Sequence, residues 1–114
     1  MRLVTIILTI IILSSALRAE KLTVYTYDSF VSEWGPGPIV EKVFEDKHEI
    51  DLQFIAVDSA ATLLNKIILE GDNTKADIVL GLDMNLFNAA ENSELFVPHN
   101  ILIEVLFLHY IFVI

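Results

Sequence analysis

The sequence predicts an α/β fold in which successive strand and helix units build a parallel sheet in the order βαβαβα. Segments rich in β-branched and aromatic residues alternate along the chain with segments whose apolar residues recur every three or four positions. Most changes from one pattern to the other coincide with Gly, Pro or a helix-capping residue. Strands that alternate with helices form right-handed crossovers, and these crossovers give a parallel sheet.

The first predicted unit begins with a strand over residues 22–27, where β-branched and aromatic side chains dominate. The Gly- and Pro-rich residues 34–38 must end that strand, and Pro38 suits the first turn of a helix that runs to His48. The next strand is predicted over residues 50–57. The solvated face of the first helix is expected to consist of Lys42, Glu45, Asp46 and Lys47.

The remaining units follow the same pattern. Ser59 is a natural N-cap for the second helix, and Gly71 is its expected C-terminal stop. Residues 77–81 predict a short apolar strand of the buried parallel type, and residues 85–93 predict a third, weaker helix. The apolar face of the second helix is expected in the core and consists of Leu63, Leu64, Ile67 and Ile68.

Residues 1–19 are expected to be a signal peptide outside the fold. Arg2 supplies a basic start, residues 3–13 are an apolar run, and small residues near positions 14–19 offer a cleavage site. The apolar run is shorter than the roughly 20 residues of a membrane-spanning helix, so an uncleaved anchor is the weaker alternative. The sequence therefore predicts export to the periplasm.

The composition excludes several classes of function. The formal net charge of −9 disfavours nucleic acid and anionic lipid surfaces, and it is compatible with a cationic ligand. The chain has no Cys, which excludes disulfides, thiolate metal sites and a lipid anchor on Cys. The three His residues lack metal-ligand spacing, and neither a GxGxxG loop nor a catalytic Ser/His/Asp order is present. We expect a protein that is not an enzyme and has no metal site.

The predicted topology locates a candidate binding site. Ligands of open α/β sheets bind beyond the carboxyl ends of the strands. The expected residues at this edge are Tyr27, Asp28, Trp34, Asp58, Ser59 and Asp83. Carboxylates beside aromatic rings suit an organic cation, because a ring face attracts a cation by about 0.5 to 2 kcal/mol.

Each carboxylate at this edge also has a purely structural interpretation. In this interpretation Asp28 does no more than shape a turn, Asp58 caps the second helix jointly with Ser59, and Asp83 caps the last helix. Taken one at a time the structural interpretations are favoured, whereas the whole group favours a cation site.

The segment from Tyr25 to Phe30, followed by WGPGP at residues 34–38, resembles the start of the mature periplasmic thiamine-binding proteins, the soluble receptors of bacterial thiamine ABC importers. Similar segments follow in the same order at residues 63–65, 70–71 and 75–83. The resemblance covers roughly residues 22–100.

The resemblance implies that residues 20–100 are part of the first lobe of a two-lobed, type II-like solute-binding protein whose second lobe is absent. It implies thiamine or a thiamine phosphate as the transported ligand, a membrane permease as partner, and no cofactor. The implied first-lobe contacts are Tyr27 and the pair Ser59–Ala60, with Trp34 and Asp83 nearby. Some relatives have Asp-Gly in place of Ser59–Ala60, so Asp58 would have to compensate for the lost carboxylate.

The apolar tail, residues 101–114, does not match the family. We expect a truncated or frame-shifted remnant whose tail lacks a partner and tends to aggregate. Such a fragment would bind thiamine poorly. The alternative is an intact short protein whose tail docks on the sheet as a strand.

Two other functions are open. The first is a receptor of the same class for another small cation, such as a polyamine or ferric ion. The second is a phospho-acceptor domain that holds Mg²⁺ between carboxylates at the strand ends. The predicted signal peptide argues against the phospho-acceptor domain, because that chemistry is cytosolic.

Overall fold

A computed structural model describes residues 20–98 and the backbone of residues 111–113. These residues contain a four-stranded sheet of order β2-β1-β3-β4. The strands are β1 (Lys21–Tyr27), β2 (Asp51–Val57), β3 (Ile78–Leu80) and β4 (Ile111–Val113). The helices are α1 (Asp28–Val31), α2 (Gly37–His48), α3 (Ala60–Glu70) and α4 (Phe87–Asn92), with a 3₁₀ turn at Gly71–Asn73.

The predicted α/β fold with a parallel arrangement of β1, β2 and β3 is confirmed. The strand β1 pairs with β2 in parallel along its whole length, and with β3 through Val24 and Tyr25. Asp77 fixes the start of the β1–β3 pairing: its Oδ2 atom accepts a hydrogen bond from the Thr23 N–H at 2.8 Å, and its own N–H donates to the Thr23 carbonyl at 2.9 Å. The sheet is therefore anchored on both sides of β1.

The ends of α3 follow from local chemistry, as the sequence predicts. The Ser59 hydroxyl accepts a hydrogen bond from the Thr62 N–H at 3.2 Å, which satisfies one of the free donors at the start of the helix. Gly71 ends the helix with φ of 52°, a conformation that glycine adopts without steric cost.

The core lies between one face of the sheet and α3. It consists of Tyr25, Leu63, Leu64, Ile67, Ala76, Val79, Leu82 and Ala90. The prediction of core positions on α3 is confirmed except for Ile68, which is 45% exposed. Ile68 follows Ile67 directly and is therefore turned about 100° away from it around the helix.

The other face of the sheet is only partly covered by α2. A cavity of about 200 Å³ separates them, and its walls are Leu22, Val24, Phe30, Val40, Phe44, Leu52, Phe54, Ile78 and Leu80. On α2 itself, Ile39 and Val43 are exposed. The apolar spacing that predicts this helix is therefore correct for its existence, but only part of its apolar face is buried.

The predicted solvated face of α2 is correct at three of its four residues and wrong at Glu45. Lys42 and Asp46 are exposed and form an ion pair at 2.8 Å, and Lys47 is exposed too. Glu45 is half-buried, however, and its Oε1 atom accepts a hydrogen bond from the Leu52 N–H at 2.9 Å. The prediction is wrong for Glu45 because the free edge of β2 offers its carboxylate an N–H donor.

Part of the C-terminal tail pairs with the sheet. The strand β4 runs antiparallel to β3, from the Ile111–Leu80 pair to the Val113–Ile78 pair. The expectation that the tail has no partner is wrong for these three residues, because the edge of β3 offers backbone groups to a β-prone segment.

The predicted signal peptide and residues 99–110 lie outside the described residues. Across the described ranges, none of the helices has the length and apolar character needed to cross a membrane.

Candidate ligand-binding site

The carboxyl ends of β1, β2 and β3 lie side by side. Parallel pairing sets Tyr27 next to Val57 at the ends of β1 and β2, and β3 pairs on the opposite side of β1. Neighbouring strands are about 4.8 Å apart, so the residues that follow these strands gather at one edge. Asp28 follows the middle one of these three strands, β1. It therefore lies between Asp58, which follows β2, and the segment that leads from β3 to Asp83.

Tyr27 is held in place by contacts that cross the sheet. Its ring meets the Phe30 ring edge-on, with centroids 6.1 Å apart and an interplanar angle of 71°. The ring also lies against Gly81, where an added Cβ would overlap it. Gly81 has φ of 106°, which disfavours any other residue. Tyr27 stays partly exposed, so the ring combines a fixed position with an accessible surface.

The WGPGP segment folds back onto α1. Gly35 and Gly37 are buried, and a Cβ at either position would crowd the carbonyl oxygen of Phe30. The Gly35 N–H donates a hydrogen bond to the Ser32 carbonyl at 2.9 Å. Because α1 begins where β1 ends, this loop lies at the same edge of the sheet. Trp34 is 82% exposed on it, so its indole ring is accessible to a ligand.

Ser59 and Asp58 have different partners. The Ser59 hydroxyl accepts the Thr62 N–H and shares a second hydrogen bond with the Thr62 hydroxyl at 2.9 Å. Ala60 is the first residue of α3 and is half-buried. Asp58 is exposed, and within residues 20–98 its carboxylate has no hydrogen bond or ion pair. Ser59 caps the helix alone, and the Asp58 carboxylate is free for a ligand.

Asp83 has a structural role, but in the turn before α4 and not as the predicted cap of that helix, whose N-cap is Leu86. Its Oδ1 atom accepts hydrogen bonds from the Asn85 N–H at 2.8 Å and the Leu86 N–H at 3.3 Å. These bonds stabilise the turn ahead of α4. Asp28 is exposed as the first residue of α1, and its carbonyl accepts the Ser32 N–H at 3.1 Å.

The edge carries negative charge without compensating cations from its own segments. Residues 27–34, 58–61 and 81–86 contain Asp28, Glu33, Asp58 and Asp83 but no Lys or Arg. In the part of the chain that the structure describes, no group of three His, Asp or Glu side chains is arranged to hold a metal ion. The arrangement can attract an organic cation and present an aromatic ring to it.

Sequence reasoning missed Gly81 and Phe30 as supports of Tyr27. A Gly directly after a short apolar strand signals a close approach of another group, and Gly81 is such a residue. No sequence signal identified that group as the Tyr27 ring, because the two residues are far apart in the chain.

The side chains with displaced pKa values lie away from this edge, at the C-terminal end of α3. The Lys66 Nζ atom is 2.6 Å from Glu70 Oε1 and 5.1 Å from the centroid of the buried Tyr25 ring. Burial raises the pKa of Tyr25, and the hydrogen bond to Glu70 raises the pKa of Lys66. Burial alone would raise the pKa of Glu70, but the hydrogen bonds from Lys66 and Thr74 outweigh it and the pKa is lowered.

Comparison with known proteins bears out the family resemblance. No protein-family model matches the chain. The chain is 53% identical over 75 residues to the thiamine-binding periplasmic protein of Escherichia coli strain K12, a match that covers 66% of this chain and 23% of the relative. A solved periplasmic thiamin binding protein superposes with a TM-score of 0.71 at 46% identity, covering 76% of this chain and 27% of that one.

A second solved structure is similar in fold alone. It is a Trichodesmium protein in complex with iron and citrate ligands, with a TM-score of 0.57 and 19% identity over 68% of this chain. The match covers 23% of that structure. The chain is therefore related to the periplasmic thiamine-binding proteins over the matched residues, and it spans about a quarter of the length of the curated relatives that it matches.

Proposed function

We propose that this chain binds thiamine in the periplasm and serves thiamine uptake through an ABC importer. The observation that carries the proposal is the anionic sheet edge where the ring of Tyr27, at the end of β1, and the unpaired carboxylate of Asp58, directly after β2, follow adjacent strands. This edge belongs to a chain that is 53% identical, over 75 residues, to a thiamine-binding periplasmic protein. Thiamine combines a positively charged thiazolium with a flat aminopyrimidine, so it matches both features.

Each residue has a proposed part. The rings of Tyr27 and Trp34 stack on thiamine and attract its positive charge. The Asp58 carboxylate, helped by Asp28, balances that charge. The first turn of α3, at Ser59–Ala60, offers polar groups to the ligand. The Asp83 carboxylate attracts the positive charge of the ligand electrostatically, and it also stabilises the turn ahead of α4.

The proposal includes the setting of the protein. Residues 1–19 direct export, residues 20–100 form part of one lobe of a solute-binding protein, and the loaded protein delivers thiamine or a thiamine phosphate to a membrane permease. The protein carries out no reaction and needs no cofactor. The periplasmic location of the named relatives supports this setting.

The described residues provide one open wall of the site. Small-molecule sites enclose about 70 to 90% of the ligand surface. An exposed Trp34 and exposed carboxylates cannot enclose thiamine from both sides. We therefore propose that this chain by itself binds thiamine more weakly than a closed cleft would.

A fluorescence titration tests the proposal, because Trp34 is the one Trp of the chain. Thiamine should change the Trp34 emission, and Tyr27→Ala should weaken binding by about 1 to 3 kcal/mol, or about 5-fold to more than 100-fold. Lys47→Ala, on the exposed side of α2, is the control and should leave the affinity unchanged.

Two results would contradict the proposal: no response to millimolar thiamine, or equal affinity of the Tyr27→Ala variant. The same titration with a polyamine and with ferric citrate compares thiamine with the two other cargoes of this receptor class. The proposal requires that thiamine bind more tightly than either.

A further inference from the structure

The outer edge of β2 is the longest free sheet edge in the part of the chain that the structure describes. The strand β2 is first in the sheet order and has seven residues, whereas β4, at the opposite edge, has three. A free edge presents a row of backbone N–H and C=O groups that can pair with another strand.

The hydrogen bonds identify which β2 residues face outward. The Asp51 N–H donates to the Glu20 carbonyl at 2.8 Å, which lies on the β1 side. Backbone groups alternate in direction along a strand, so those of Leu52, Phe54 and Ala56 face away from β1. The Leu52 N–H confirms this direction, because it donates to Glu45 of α2 at 2.9 Å.

Glu45 therefore occupies the outward N–H of Leu52 only, in the first half of the β2 edge. Within residues 20–98, no hydrogen bond to the backbone N–H of Phe54 or Ala56 is found. Natural edges are protected by Lys, Pro, bulges or short length, and β2 (DLQFIAV) contains neither Lys nor Pro. Ile55 lies between the two free positions and is 36% exposed.

We propose that this open half of β2 pairs with the same segment of a second copy, antiparallel about a twofold axis at Ile55. In this register Phe54 of each copy faces Ala56 of the other, and the facing residues exchange both of their backbone hydrogen bonds. Ile55 of one copy contacts Ile55 of the other. The contact is isologous, as expected of a twofold dimer.

The free backbone positions of β2 fit a second copy in this register. Phe54 and Ala56 lie symmetrically about Ile55, so both free positions pair with the same two positions of the other copy. Asp51 faces Ser59, and Asp58 faces Leu52, whose N–H is held by Glu45, so the pairing is confined to residues 54–56. A register shifted to place Phe54 opposite Phe54 would set Ala56 against Leu52, whose N–H is already held by Glu45. The net charge of −9 on each copy opposes association, so added salt should strengthen the pair.

Sedimentation of the purified chain over a range of concentrations tests the proposal. The chain should dimerise reversibly, and Ile55→Lys should weaken the dimer by about tenfold or more, because two Lys side chains would meet at the axis. The matched control is Leu69→Lys, which adds the same charge at a position 87% exposed on α3 and should leave the dimer constant unchanged. Circular dichroism checks that both variants fold.

Ala56→Pro provides a second, backbone test. It removes an outward N–H and leaves the hydrogen bonds between β1 and β2 intact, so the monomer should fold while the dimer is lost. In hydrogen exchange, the Phe54 and Ala56 amides should become more protected as protein concentration rises. A chain that stays monomeric at millimolar concentration, or a dimer that survives both Ile55→Lys and Ala56→Pro, would overturn the proposal.

Discussion

Asp58 and Asp83 lie at the same edge of the sheet, but only Asp83 is already hydrogen-bonded. Asp58→Asn should therefore weaken the binding of cationic thiamine by about fivefold, since an exposed charge pair contributes about 1 kcal/mol or less. A neutral thiamine analogue should lose little. Calorimetry with both ligands measures the difference, and equal losses would make Asp58 a structural residue. The melting temperature should stay unchanged, because Ser59 alone caps α3.

The backbone of Gly81 lies against the ring of Tyr27, the proposed ligand contact. Gly81→Ala should lower both the stability and the affinity for thiamine, because the new Cβ would displace the Tyr27 ring. Gly71→Ala is the matched control: this residue also has positive φ, but a Cβ there meets open space. Each change should cost about 1 to 3 kcal/mol of backbone strain, and only Gly81→Ala should also weaken binding. Equal affinity in the two variants would show that Tyr27 does not depend on Gly81.

The C-terminal end of α3 should make the stability of the fold depend on pH. Folding lowers the pKa of Glu70 below its ordinary value of 4.5, so its stabilising effect is present above pH 4.5 and is lost as pH falls through the lower folded value. Glu70→Gln should therefore lower the free energy of unfolding at pH 7. Urea denaturation at several pH values should show that the two proteins converge as pH falls below 4.5. A difference in the free energy of unfolding that stays constant however far pH falls below 4.5 would contradict this role of Glu70.

The elements whose ends depend on local chemistry could be predicted from the sequence. The start of α3 at Ser59 and its end at Gly71 are of this kind, as is the Pro-bearing first turn of α2. Burial was harder to predict, because it depends on what covers a face. Ile68 is exposed although it extends an apolar stripe, and Glu45 leaves the solvated face to bind the edge of β2.

For the molecule as a whole, the place of the candidate site could be predicted because parallel strands end at one edge and the ends carry the polar residues. Two features of the site could not be predicted from the sequence. The support of Tyr27 by Gly81 joins residues distant in sequence, and the difference between a bonded Asp83 and a free Asp58 depends on turn geometry. The docking of β4 was open in the sequence, since β-prone residues do not specify their partner.

The most direct measurement of the central claim is a map of thiamine contacts by NMR with an isotope-labelled chain. Thiamine should shift the backbone signals of residues 27–28, 34, 58–60 and 81–83, which surround the carboxyl ends of β1, β2 and β3. The signals of residues around the apolar cavity between α2 and the sheet should stay in place. Shifts confined to that cavity, or no shifts at millimolar thiamine, would contradict the claim that this sheet edge binds thiamine.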